Sequence, residues 1–235
     1  MIQRSTPRSR LGLASAAVIA LLVLSTGSVF ADTTPGPGGD AKFSQNGKSA
    51  EASEGSCVSN GDDTETCTFD GISVFAGKMS DSISGVTHAN QVCAYHESYT
   101  YSEIKGDYVS EPVSEYGCAV DLPAGVLVFG SKLSTVTVHP TTLSLQAYVC
   151  DEFSCEPGSS RDVTVAGTWT GVGPTISGKY RSSSDDGICR YADAGSGSSR
   201  EATFAGHVGD VTLGADAFGY LNDGKSTYRS RCSEA

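Results

Sequence analysis

From Cys57 onward the apolar residues of this chain recur at every second position, the period of a strand with one buried face. In "DVTVAGTWTG" (162–171), Val163, Val165, Gly167 and Trp169 fall on one side and Thr164, Ala166, Thr168 and Thr170 on the other. "TTLSLQAYVC" (141–150) groups Leu143, Leu145, Ala147 and Val149, and "REATFAGHVG" (200–209) groups Ala202, Phe204, Gly206 and Val208. Valine, threonine and tyrosine suit such a pleated, half-buried surface. Further strands are predicted over 70–78, 91–103, 124–130 and 132–139. "AFGYLNDGKSTYRSR" (217–231) predicts a hairpin turning at Asp223-Gly224. No amphipathic helical period follows residue 31. The fold class is all-β, with short antiparallel strands and Gly-rich turns expected to form a disulfide-stabilised sandwich whose core includes Trp169.

Two halves share an order of features. Asp70, "VFAG" (74–77), "SISG" (82–85), Cys93-Ala-Tyr95 and Ser102-Glu103 are echoed by Asp162, "VAG" (165–167), "TISG" (175–178), Cys189-Arg-Tyr191 and Arg200-Glu201. Drifting gaps are expected where loops differ. The order predicts two tandem, duplicated β-sandwich halves over 57–149 and 150–235.

The segment before residue 57 has a different character. Arg4, Arg8 and Arg10 precede an apolar run, "LGLASAAVIALLVL" (11–24), and "STGSVFA" ends at Ala31. This is the pattern of a cleaved Sec-type signal over 1–31, since the run is shorter than the ~20 residues of a bilayer span. Residues 32–56 are mostly Gly, Pro, Ser, Ala and charged residues, which predicts a disordered linker with too little apolar area to offset ordering entropy. The closing "RSRCSEA" carries no sorting motif, so the expected destination is secretion into the medium, in the manner of exported bacterial β-proteins.

Charge and cysteine content sharpen the picture. The chain has 16 Lys and Arg against 27 Asp and Glu. Without the three leader arginines the net charge is −14, which disfavours nucleic acid and anionic membranes as partners. Eight cysteines form an even set: Cys57, Cys67, Cys93, Cys118, Cys150, Cys155, Cys189 and Cys232. No C-x2-C pair occurs, and no histidine supports "YVCDEFSC" (148–155) as a metal site, so that stretch reads as a structural clip. Disulfides are expected in an oxidising compartment, paired sequentially as Cys57–Cys67, Cys93–Cys118, Cys150–Cys155 and Cys189–Cys232.

The sequence has no H-E-x-x-H, G-x-S-x-G or dinucleotide fingerprint. "GSGSS" (195–199) is expected in a hairpin loop. His88, His96, His139 and His207 carry no local signature, so any catalytic site would assemble from distant residues. "NGDDTE" (60–65) and "SSSDDG" (182–187) gather carboxylates without the ligand order of a calcium loop. No cofactor and no metal is implied. The most distinctive surface candidate is the tyrosine set Tyr95, Tyr99, Tyr101, Tyr108 and Tyr116, interleaved with glutamates and suited to an interface or a sugar platform. The leading expectation is a secreted, non-catalytic binding or structural β-protein that meets an extracellular protein or glycan. Two alternatives stand beside it: a protease inhibitor presenting "CDEFSC", and a hydrolase with at least two histidines converging on carboxylates.

Overall fold

The computed structural model describes residues 40–82, 85–102, 104–109, 113–150, 155–214 and 217–232, with the side chains of His88, Val149, Cys150 and Cys155 excepted. The expected signal at 1–31, the first part of the expected linker and residues 151–154 lie outside these. Twelve strands follow in chain order: β1 (Asp40–Ser59), β2 (Thr64–Asp81), β3 (Gly85–Ser102), β4 (Asp107–Tyr108), β5 (Val113–Ala119), β6 (Leu127–Phe129), β7 (Thr135–Cys150), β8 (Cys155–Gly171), β9 (Ile176–Asp185), β10 (Cys189–Val208), β11 (Val211–Leu213) and β12 (Phe218–Cys232). Among the described residues the only helical turn is a 3-10 turn at Ser131–Leu133.

The pairings between the described strands are all antiparallel and close into a ring. In sequence order β1, β2, β3, β5, β7, β8, β10 and β12 each pair with the next, and β12 pairs with β1. The expected two-layer sandwich is therefore corrected to one sheet closed on itself as an up-and-down barrel, the arrangement that removes free edges. Interior positions form a single apolar belt that includes Ala52, Ile72, Val92, Leu145, Val165 and Trp169. Outward positions on β7 and β8 carry Thr142, Ser144, Thr164 and Thr168. On these two strands the outside is polar and the inside apolar, the reverse of the pattern of a membrane-spanning barrel. No helix among the described residues is long and apolar enough to cross a membrane.

Residues 40–56, expected as linker, are strand β1, hydrogen-bonded to β12 on one edge and β2 on the other. Their small side chains bury little area, yet Ala50 and Ala52 sit in the core at 1% and 0% exposure. Two neighbouring strands supply the backbone partners that composition could not reveal. The same physics corrects two expected turns. Asp223-Gly224 lies inside β12, between β1 and β10, and "GSGSS" lies inside β10, between β9 and β12.

The longest strands overshoot the belt. On one side of it, β9, β10, β12, β1 and β2, with the start of β3 beside β2, run on as a flared sheet rich in Gly, Ser and basic residues, with β9 exposed throughout. A row of five glycines crosses this flare in register: Gly178, Gly197, Gly224, Gly47 and Gly77. The Phe75 ring lies over the last pair, so a Cβ at Gly47 would stand 2.8 Å from its Cζ. Phe204 covers Gly167 and Gly206 in the same way inside the barrel. Cys93 sits near the belt, opposite Ser73, whereas Cys189 lies at the far end of β10, beyond the residues that pair with β8.

Among the described side chains three disulfides are present, Cys57–Cys67, Cys93–Cys118 and Cys189–Cys232. Each joins residues directly opposite on adjacent strands. They tie neighbours within one sheet, not one layer to another. Strands rich in Ser and Gly specify their register weakly, and a bond between directly opposed residues pins it. Cys150 and Cys155 are likewise backbone partners across β7 and β8, with their side chains outside the description.

Candidate functional site

Alternation along β3 places Tyr95, Glu97, Tyr99 and Tyr101 on the outer face, because Val92 and Ala94 point into the belt. Tyr116 on β5 is the direct partner of Tyr95, and Tyr108 on β4 is the partner of Tyr101. All five tyrosines therefore share one side of the sheet, but the structure divides them into two groups.

Tyr95 and Tyr116 belong to the scaffold. A Cβ on Gly71 would meet the Tyr95 ring at 2.2 Å, so the ring lies flat across that glycine and reaches the Ser53 hydroxyl on β1. Burial raises the Tyr95 pKa above its ordinary value; the Ser53 hydrogen bond opposes this, and the charges of Glu51, Asp70 and Glu97 add to it. Burial likewise raises Tyr116, whose hydroxyl lies 2.8 Å from Cys118 Sγ.

Tyr99, Tyr101 and Tyr108 form a patch with Phe69, a residue the sequence had not singled out. Tyr108 meets Tyr99 edge-on at 5.3 Å and Tyr101 edge-on at 6.0 Å, and Phe69 stacks with Tyr99 at 6.0 Å. Phe69 in turn lies over Gly55, where a Cβ would come within 2.3 Å of its ring. Tyr108 is the most open of the group, at 54% exposure. A glycine opposite an aromatic residue, at 55/69 and 71/95, is the signal that could have separated packed rings from free ones. It needs the register, which only the folded sheet supplies.

The inward side of the same strands carries an ionic row. Glu54, Asp70, His96 and Glu115 are successive cross-strand partners on β1, β2, β3 and β5, one row beyond Ala52, Ile72 and Ala94. His96 Nδ1 lies 2.8 Å from Asp70 Oδ1, and Asp70 is only 6% exposed. Arg161 of β8 donates from Nε to Glu115 Oε2 at 2.9 Å, and Glu54 accepts the Gly214 backbone N–H at 2.9 Å. The hydrogen bond to Glu115 raises the Arg161 pKa, with Glu115, Asp70 and Asp210 adding by charge. Each member is answered by a partner, and no described hydroxyl is hydrogen-bonded to His96. The row seals the end of the apolar belt.

The remaining candidates are dispersed. His139 is exposed on β7, His207 points outward on β10, and His88 lies on β3 opposite Lys78, so only one described imidazole joins carboxylates. The carboxylates of the two acidic stretches hold turns. Asp62 accepts from the Thr64 hydroxyl, Asp185 from the Gly187 N–H, and Asp186 from the Ile188 and Cys189 N–H groups. Those backbone bonds lower the Asp185 and Asp186 pKa values. Cys57, Glu65 and Cys67 lie close together, but both sulfurs are committed to a disulfide. No protein-family model matches the chain, and no curated protein or solved structure matches it.

Proposed function

We propose that this chain is an exported, non-catalytic binding module that meets an extracellular protein or glycan through the patch of Phe69, Tyr99, Tyr101 and Tyr108. The observation that carries this reading is the division among the tyrosines. Two rings are committed to the sheet, while three cluster at the β3–β4 hairpin with Tyr108 largely open. Tyrosine presents a rigid apolar ring and a polar tip at little entropic cost, which suits recognition. Disulfide pairing supports a compartment outside the reducing cytoplasm, and the leader pattern at 1–31 supports export. The ionic row supports structure rather than turnover, because its charges are spent on one another. The inhibitor alternative rests on residues 151–154, outside the described chain.

The test is a titration of the oxidised chain with neutral oligosaccharides and with proteins recovered beside it, read by tyrosine emission. Replacing Tyr101 and Tyr108 together by Ala is expected to weaken binding at least tenfold, about 1.4 kcal/mol, with the melting temperature unchanged. Full binding by that double variant would remove the patch from the function.

A further inference from the structure

The cations of this acidic chain are gathered on one side of the flared sheet. Nine of the thirteen Lys and Arg beyond residue 31 lie there, on the face that continues the barrel interior. Lys78, Asn46, Lys225, Ser196 and Lys179 form one cross-strand row. Lys48 lies one row nearer the barrel and Arg181 one row farther out, followed by Lys42 with Arg229, then Arg190 with Arg231. All but Lys48 are exposed. The face holds three carboxylates, of which Asp185 pairs with Arg190 at 2.8 Å and Asp40 with Arg231 at 3.1 Å. The other seven cations are in no ion pair among the described residues. The opposite side of the flare carries Phe43, Tyr180, Tyr191 and Tyr228 and no Lys or Arg.

We propose that this cationic face is a docking surface for a linear anionic polysaccharide, distinct from the aromatic patch. Five strands and ten residues give a face of about 19 by 34 Å. The Debye length at physiological salt is only about 8 Å, so a polyanion on the face responds to the local cations rather than to the net charge of the whole chain. Lysines two strands apart stand about 10 Å from one another in a row, an array for repeated anionic groups on an extended polymer. Between them lie Ser44, Ser177, Ser196, Ser198 and Thr227, whose hydroxyls match those of a sugar chain. The face has no large apolar anchor, so it lacks the centre that a stable protein interface uses. Stacking of nucleobases or insertion into a bilayer would need aromatic side chains, and those occupy the other side.

The experiment titrates the full oxidised chain with polygalacturonate over a range of salt. Saturable binding that weakens with salt is expected. Replacing Lys78, Lys179 and Lys225 together by Gln should weaken it at least tenfold and lower the slope of log K against log salt by about 2 to 3. The same three changed to Arg should retain binding, which separates loss of charge from loss of fold. Lys105→Gln with Lys132→Gln should leave affinity and slope unchanged, as should Tyr101→Ala with Tyr108→Ala. The proposal is overturned by no binding at about 50 mM salt, where electrostatic binding is strong, or by equal losses in the Lys105/Lys132 control. Tighter binding of duplex DNA or of phosphatidylglycerol vesicles at equal salt overturns it as well.

Discussion

Trp169 is the largest fully buried side chain, with its ring 4.5 Å from Phe204 and its indole Nε1 without a hydrogen-bond partner among the described residues. Its packing therefore stabilises the belt while its N–H opposes it. Replacement by Ala should cost about 3–5 kcal/mol in urea unfolding. Replacement by Phe should cost less than half as much, because the smaller ring removes an unpaired donor along with some volume. Equal costs would show that the indole N–H is satisfied. The place of Trp169 in the core was legible from its phase with Val163 and Val165. The roles of the tyrosines were not, because alternation says which side a ring takes and not whether a glycine on the next strand lets it lie flat.

At the scale of the element, the disulfides explain how strands of Ser and Gly hold one register. The bridged residues are 10, 25 and 43 apart for Cys57–Cys67, Cys93–Cys118 and Cys189–Cys232. The chain-entropy model assigns them about 2.7, 3.5 and 4 kcal/mol. Double Cys→Ala variants should lose stability in that order under denaturant. The reverse order would mean that register at the β1–β2 tip, and not chain entropy, sets their value. The identity of the cysteines as cross-links was legible from their number and the export pattern. Strand β1 was not, since its stability comes from two partners, one of them more than 150 residues away in β12.

For the whole molecule, pH response follows from burial. The pKa values of Tyr95, Tyr116, Tyr180 and Tyr220 are all raised above 10.0, with burial the largest cause in each. The unfolded chain then loses phenolic protons before the folded one, so stability should fall as pH rises above 10. Glu51 is also raised by burial and works in the same sense just above pH 4.5. Asp185 and Asp186 are lowered, so their contribution is present above the ordinary carboxylate range and is lost as pH falls below it. Denaturant melts across pH, alongside tyrosinate absorbance, should show the alkaline loss. Stability unchanged from pH 9 to 11 would contradict the burial of the Tyr95 and Tyr116 rings.

The all-β class, the core phase of β7, β8 and β10 and the cross-linking use of the cysteines were legible in the amino-acid order, because period two and an even cysteine count can be read without knowing which strand lies beside which. The folded sheet was needed to show that it closes, that a Gly- and Ser-rich segment becomes one of its two longest strands, and that an acidic chain collects its cations on one face. Those outcomes depend on which strand lies beside which, and backbone hydrogen bonds between distant segments leave no mark in composition.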